Sequence, residues 1–216
     1  MSLLIENTVE FVKNTLQDTE SGHDWFHIER VWKLSRHIAA IENRGNLEII
    51  ELAALLHDIA DSKFHNGDEL IGGEKADSYL VSQNVDKCTR NDVKLIIDHI
   101  SFKGGHSTRP ENNIEFDIVQ DADRLDALGA IGIARTFNYG GFKHRKIYDP
   151  TVKPDLEMTK EEYKNSTAPT INHFYEKLLK LKDLMNTKTG SQIAESRHQF
   201  MLQFLDQFYS EWNVRF

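Results

Sequence analysis

The chain has 216 residues, of which 39% are hydrophobic, and its formal net charge at pH 7 is -8. This length allows one large domain or two small ones with a sizeable core. An acidic chain lacks the net basic surface that attracts nucleic acid and anionic membranes, so the composition argues against both partners. A single cysteine, Cys88, excludes an internal disulfide and a thiolate zinc cluster. We therefore expect a cytoplasmic protein without a leader peptide or membrane-spanning segment.

Apolar residues recur at α-helical spacing along almost the whole chain, and the short alternating runs that predict strands are absent. A first helix carries the apolar residues from Ile5 to Leu16, and a second buries a face from Ile28 to Ile38. The segment from Leu47 to Ala60 is apolar around most of its circumference, which predicts a central helix packed on several sides. Further helices are predicted at about residues 68–83, 90–100, 114–137, 160–186 and 190–212, and loops at 101–113 and 138–158. The pattern predicts an all-α fold in a single domain, residues 1–216.

His57 and Asp58 are polar side chains within the otherwise apolar segment from Leu47 to Ala60. Burying a carboxylate beside an imidazole costs free energy unless both are paired or bind a metal ion. Adjacent helical residues point about 100° apart, so both bind one ion only if other helices close the crevice around it. His27 and Asp123, each in a predicted helix, are the candidates for that closure. Two imidazoles and two carboxylates form a nitrogen and oxygen ligand set suited to Mn²⁺, Mg²⁺ or Fe²⁺.

The order His27, His57-Asp58 and Asp123 resembles the motif of the HD superfamily of metal-dependent phosphohydrolases. The segments GHDWFHIERV, LAALLHDIADSKFH and QDADRLDALGAIGIAR are similar to those of its bacterial single-domain branch, typified by YpgQ and YedJ. The resemblance covers about residues 20–150 and implies an HD-domain helical bundle with the metal site between central helices. Helices at about 160–212 are then expected to pack on this motif core.

The resemblance also implies one catalytic divalent ion. Mn²⁺ is the expected metal, with Mg²⁺, Fe²⁺, Co²⁺, Ni²⁺ or Zn²⁺ as alternatives, and the expected ligands are His27, His57, Asp58 and Asp123. Asp121 and Asp126 offer competing carboxylates, but the Asp-Arg context of Asp123 matches the family best.

Asp61 follows His57 by four residues and therefore returns to the same face of a helix. In the family pattern this position resembles the carboxylate that orients or deprotonates the attacking water, although a carboxylate at a helix end is the alternative. The expected catalytic residues are Asp61, His57 and Asp58.

Cationic and imidazole side chains near the motif segments are candidates for holding phosphate groups. An exposed helix start or a solvated loop tip is the alternative for several of them. The candidates are His23, Lys63, His99, Lys103, Arg124, Lys143, His144 and Arg145.

The resemblance favours a small nucleotide as substrate and nucleoside triphosphate pyrophosphohydrolase activity. Residue chemistry alone does not choose between this reaction, 5′-nucleotidase action and alarmone hydrolysis. A metal-dependent nucleotide sensor without catalysis and a helical scaffold with a structural metal are alternatives from other classes. Aromatic residues near the C-terminus, at 200–212, predict either core packing or the face of a homodimer.

Overall fold

The computed structural model describes residues 2–17, 24–60, 71–100 and 110–215, and these ranges contain helices and no β-strand. The predicted all-α class is confirmed. No helix in these ranges combines the length and the apolar character that crossing a bilayer requires. The elements are α1 (Leu3–Thr15), α2 (Trp25–Glu42), α3 (Leu47–Leu56), α4 (Ile71–Ser82), α5 (Lys87–Ile100), α6 (Ile114–Asp126), α7 (Gly129–Phe142), α8 (Lys160–Asn165), α9 (Asn172–Glu176), a 3₁₀ helix (Leu178–Leu184) and α10 (Lys188–Trp212).

The chain divides into two compact units, Met1–Ala122 and Asp123–Phe216. The division falls within α6, which is one continuous helix. The expectation of a single domain over the whole chain stays a prediction.

Helix α3 is the central helix of the first unit and packs against α1, α2 and α5. Seven of its ten residues are buried, including Leu52, Leu55 and Leu56 with no exposed surface. Each fully buried leucine contributes about 1.5 to 3 kcal/mol relative to an exposed one. The predicted central helix is confirmed, although it ends at Leu56 rather than Ala60.

A polar contact joins α2 to α3 across their apolar interface. The indole nitrogen of Trp32 donates to Glu51 at 3.0 Å, and the Nε atom of Arg36 lies 3.2 Å from the same carboxylate oxygen. This contact fixes the rotation of α2 against α3, the helices that position His27 and His57.

The predicted helix at 114–137 is two helices, because the chain breaks between α6 and α7. Gly129 adopts a φ of 72°, a left-handed conformation that residues with a Cβ atom rarely adopt. Beyond the break, α7 continues to Phe142, so the predicted loop at 138–158 begins later. At Gly132 an added Cβ atom would overlap the carbonyl of Ala127 in the turn between α6 and α7.

We expect Gly129→Ala to lower the free energy of unfolding by about 1 to 2 kcal/mol. A Cβ atom there would be strained at positive φ and would lie 3.0 Å from Cγ of Arg197. The matched control is Gly141→Ala in the same helix, where the added Cβ meets nothing within 4 Å. That control should gain about 0.4 to 1 kcal/mol. Urea unfolding of both variants measures the difference, and equal stability changes of the same sign would contradict the prediction.

In the second unit, α10 packs against α7 and the 3₁₀ helix, which also contacts α9. Phe137, Phe174 and Phe204 form an aromatic core with ring centroids 5.8 to 6.1 Å apart. The predicted helix at 160–186 is wrong as one element, because it is divided into α8, α9 and the 3₁₀ helix. Pro169 lies between α8 and α9, where its missing N–H and its ring are incompatible with a helix interior.

Candidate metal centre

His27 lies in the first turn of α2, and its side chain is 2% exposed. Asp24 is the residue that caps this helix, and its carboxylate accepts the backbone N–H of His27 at 2.9 Å. Such a cap satisfies one of the N–H groups that have no acceptor within the helix. The local sequence therefore begins a helix immediately before a buried imidazole.

His57 and Asp58 follow α3 instead of lying inside it, which corrects the expectation that both are in a helix. His57 is the residue at which the helix ends, with φ -62° and ψ -25°, and Asp58 lies in the turn that follows. Both side chains are partly exposed, with 20% exposure for Asp58. Leaving the helix relaxes the requirement that adjacent side chains diverge by about 100°.

The ring of His57 is oriented by the end of its own helix. Its Nδ1 atom lies 2.9 Å from the carbonyl oxygen of Ala54. A carbonyl only accepts, so Nδ1 is the donor in this contact, and in the neutral ring Nε2 is then the nitrogen with a lone pair. A hydrogen bond from the second ring nitrogen is the usual way in which proteins fix a metal-binding histidine.

The structure brings the imidazoles of His27 and His57 together. Their Nε2 atoms are 3.3 Å apart, and the rings are inclined by 71°. Oδ2 of Asp58 lies 3.9 Å from Nε2 of His27. One ligand atom from each of His27, His57 and Asp123 lies within 4.8 Å of the others, which is a spacing that could hold a metal ion.

This donor set fits a divalent ion. The lone pair of His57 Nε2 points to the Nε2 atom of a buried histidine, and a carboxylate supplies charge neutralisation. Imidazole and carboxylate ligands without thiolates suit Mn²⁺, Fe²⁺ and similar ions.

The three carboxylates of α6 have separate environments. Asp123 contributes to the group that could hold a metal, whereas Asp121 is fully buried and Asp126 pairs with Arg135 at 2.8 Å. The structure therefore favours Asp123 over Asp126, in agreement with the family context.

Of the remaining predicted site residues of the first unit, the structure describes His99 and not the others. His99 lies in the last turn of α5, and its Nδ1 atom is 2.9 Å from the carbonyl oxygen of Leu95. The predicted catalytic Asp61 and the predicted phosphate-binding His23, Lys63 and Lys103 lie outside the described residues.

The predicted cations of the second unit have partners within that unit. Arg124 donates through Nη1 to the carbonyl of Leu184, and Arg145 donates through Nη2 to the carbonyl of Ser166. The guanidinium of Arg145 lies 5.6 Å from the ring centroid of Tyr139. These contacts hold both side chains in defined positions, and their role in binding substrate stays a prediction.

Lys143 and His144 are exposed at the end of α7. The Nζ atom of Lys143 lies 5.2 Å from the ring centroid of Phe142, and His144 has a φ of 53°. Exposure leaves both side chains accessible to an anion, and their predicted role is likewise untested.

His173 in α9 is a titratable residue that the sequence analysis did not identify. Burial, together with the positive charges of Lys177 and Arg145, lowers its pKa from 6.5 to about 3. The imidazole is consequently neutral in the folded protein at neutral pH. A histidine as the second residue of a short helix gives no sequence signal of this environment, because its burial, the largest cause of the shift, depends on how the chain packs around it.

We expect the His173 imidazole to make stability depend on pH. The folded pKa lies below the unfolded value, so the unfolded chain binds the extra proton between pH 6.5 and about 3. The free energy of unfolding is therefore unaffected by this group above the window, and as the pH falls to about 4.5 it decreases by roughly 3 kcal/mol. When the free energy of unfolding in urea is measured between pH 6.5 and about 4.5, it should decrease less steeply with falling pH in His173→Gln than in the parent. His37→Gln, at an exposed position of α2, controls for loss of an imidazole, and an unchanged slope in His173→Gln would contradict the prediction.

Known proteins share this arrangement of motifs and fold. A model of the HD domain family matches residues 25–128. YpgQ from Bacillus subtilis (strain 168) is 40% identical to this chain over 198 residues, 91% of this chain and 88% of YpgQ. A protein from Lactobacillus plantarum superposes with a TM-score of 0.84 at 38% identity, covering 99% of this chain and 98% of that chain.

Two further solved structures are similar to this chain over almost its full length. An HD-superfamily hydrolase from Bacillus thuringiensis superposes with a TM-score of 0.75 at 48% identity, covering 97% of both chains. YpgQ was crystallised in complex with ADP, and that structure superposes with a TM-score of 0.73, covering 96% of this chain and 97% of YpgQ. Its identity in the structural alignment is 34%.

The matched family segment contains both imidazoles and both carboxylates of the expected ligand set. The resemblance seen in the sequence at about residues 20–150 is confirmed, and the similarity to these proteins extends over nearly the whole chain. The chain belongs to the HD superfamily of metal-dependent phosphohydrolases.

Proposed function

We propose that this phosphohydrolase converts a nucleoside triphosphate into the monophosphate and pyrophosphate. The main support for a hydrolytic metal site is the distance of 3.3 Å between the Nε2 atoms of His27 and His57. A ligand atom of Asp123 lies within 4.8 Å of ligand atoms of both histidines. The complex of YpgQ with ADP supports a nucleotide as substrate. The proposed ligands of a single divalent ion, Mn²⁺ in our proposal, are His27, His57, Asp58 and Asp123.

Each described ligand has a defined task in this proposal. The hydrogen bond from His57 Nδ1 to Ala54 keeps the Nε2 lone pair directed at the ion. Burial of His27 limits the access of bulk water to its side of the site. The carboxylates of Asp58 and Asp123 offset the charge of a divalent cation.

A divalent ion at this site would lower the pKa of water and polarise a phosphoryl oxygen. We propose that Asp61 orients the attacking water and accepts its proton. The water oxygen bonds to the α-phosphorus, the bond from that phosphorus to the bridging oxygen breaks, and pyrophosphate leaves with the electron pair. The proposed phosphate-binding residues are His23, Lys63, His99, Lys103, Arg124, Lys143, His144 and Arg145.

Product analysis in ¹⁸O-labelled water tests this reaction. With Mn²⁺ and a panel of nucleoside triphosphates, we expect the label in the monophosphate and none in the pyrophosphate. Label in the pyrophosphate would show attack at the β-phosphorus and contradict the proposal. Release of inorganic phosphate from a nucleoside monophosphate, or of pyrophosphate from an alarmone alone, would favour the other two reactions.

The variant Asp61→Asn also distinguishes an enzyme from a nucleotide sensor without catalysis. In an enzyme, Asp61→Asn should reduce turnover while the nucleotide still binds. If the parent and Asp61→Asn bind nucleotide equally tightly and the parent never releases product, the protein is instead a sensor.

A further inference from the structure

Asp24 makes its capping contact with the backbone of the proposed metal ligand itself. Its Oδ1 atom accepts the N–H of His27 at 2.9 Å, and its carbonyl oxygen accepts from the N–H of His27 at 3.1 Å and of Ile28 at 3.3 Å. Asp24 has an extended backbone, with φ -83° and ψ 173°, as expected of a residue that begins a helix. Both acceptor groups of one residue therefore hold the turn that carries the imidazole.

The first turn of α2 is held in place differently from the rest of the helix. The middle of α2 is joined to α3 by the contacts of Trp32 and Arg36 with Glu51. The first four N–H groups of a helix have no acceptor within it, so the first turn opens most easily. His27 is at this end, where it is buried, and the cap holds its backbone in the helical conformation.

Small displacements of His27 matter because metal coordination has narrow distance limits. Metal to imidazole distances vary by only about 0.2 Å in well-formed sites. The Nε2 atom of His27 is already 3.3 Å from that of His57, so opening the first turn would move one ligand away from the other. Binding a metal would then require the turn to close again, and the free energy of closing it would reduce the affinity.

We propose that Asp24 is a positioning residue for the metal centre, because its contact with the His27 amide sets the affinity for the ion. This inference rests on the proposed role of His27 as a metal ligand. It assigns Asp24 no contact with metal or substrate. The acceptor oxygen, rather than the negative charge, is the feature on which the role depends.

Calorimetric titration with Mn²⁺ alone, far below the melting temperature, tests the proposal on variants of the full chain. Affinity should follow the capping ability of the residue at position 24, with Asp and Asn similar, Gly lower and Ala lowest. We expect Asp24→Ala to bind Mn²⁺ about fivefold more weakly, and Asp24→Asn to remain within about twofold of the parent. If Asp24→Ala does not fold, the comparison of Asp24→Asn with Asp24→Gly decides the outcome.

Thr187→Ala is the matched control for the general effect of losing a cap. Thr187 begins α10, in the second unit, and its hydroxyl accepts the N–H of Gly190 at 2.9 Å. This variant should melt at a lower temperature and bind Mn²⁺ as the parent does. An equal loss of affinity in Thr187→Ala, or in Asp24→Asn and Asp24→Ala alike, would overturn the proposal, as would full affinity in Asp24→Ala.

His27→Gln separates failure of this inference from failure of the proposed site. If His27→Gln binds Mn²⁺ as tightly as the parent, the proposed ligand set is wrong. If His27→Gln loses the ion while Asp24→Ala retains it, only the role of Asp24 is wrong.

Discussion

His57→Gln should weaken Mn²⁺ binding by at least about 100-fold and remove measurable turnover, because even residues that only orient a ligand cost 10- to 100-fold when replaced. Glutamine keeps a polar side chain of similar reach but lacks the imidazole Nε2 atom that lies 3.3 Å from His27. It also lacks the Nδ1 donor that bonds to Ala54. The variant consequently removes both the metal-facing atom and the contact that directs it.

Calorimetry with Mn²⁺ and steady-state kinetics on a nucleoside triphosphate measure this effect. His37→Gln is the matched control, since His37 is an exposed histidine on the helix that carries His27. The control should bind Mn²⁺ and turn over as the parent does. Parent-like Mn²⁺ affinity in His57→Gln would show that the ion, if it binds, does so elsewhere.

Asp123→Asn extends the same test to α6. The substitution keeps the shape of the side chain but removes the negative charge from the group formed with His27 and His57. We expect weaker Mn²⁺ binding without a large loss of stability, because Asp123 is partly exposed. This result distinguishes Asp123 from Asp126. Replacing Asp126 should instead lower stability and leave Mn²⁺ binding unchanged.

Periodicity was sufficient to predict the helices that build the first unit. The predicted face of α2, from Ile28 to Ile38, is buried as expected, and α3 is as apolar and as central as its sequence indicates. Both predictions rest on apolar residues whose spacing fits a helix. The side chains of His27 and His57 meet because these two helices pack against each other.

The helix breaks near residues 127 and 169 differ in how clearly the sequence indicates them. Pro169 was a local signal that the prediction of one helix at 160–186 overlooked, since proline in a helix interior costs about 3 kcal/mol. At Gly129 the periodicity continues on both sides, and a glycine in a helix costs only about 1 kcal/mol. Sequence alone could not show that the chain turns there, because the space that a Cβ atom at Gly129 would enter is occupied by Arg197, which is distant in sequence.

The choice among the carboxylates of α6 was predictable only through the resemblance to a family. Asp121, Asp123 and Asp126 lie within six residues, and spacing alone gives no reason to prefer one. The structure separates them by neighbours that are distant in sequence, since a ligand atom of Asp123 lies within 4.8 Å of those of His27 and His57. For Asp126 the partner is Arg135, nine residues later and beyond the turn at Gly129.

Asp126→Ala should lower the free energy of unfolding by roughly 2 to 4 kcal/mol, because it removes the carboxylate that forms an ion pair with a partly buried guanidinium. Asp126 is 3% exposed, and its Oδ2 atom lies 2.8 Å from Nη1 of Arg135. The same Nη1 atom donates to the carbonyl oxygen of Asp126 at 3.3 Å. The expected loss is below the largest values for buried pairs because the Arg135 side chain keeps 23% exposure and retains some water.

Urea unfolding of Asp126→Ala, Arg135→Ala and the double variant separates the pair from its parts. Since each single variant removes the same contact, the double variant should lose less than the sum of the two. Lys33→Ala is the control, as Lys33 pairs with Glu29 at 3.0 Å but is 65% exposed. An exposed pair of this kind contributes at most about 0.5 kcal/mol. Additive losses in the double variant would show that the contact between the side chains of Asp126 and Arg135 does not stabilise the turn between α6 and α7.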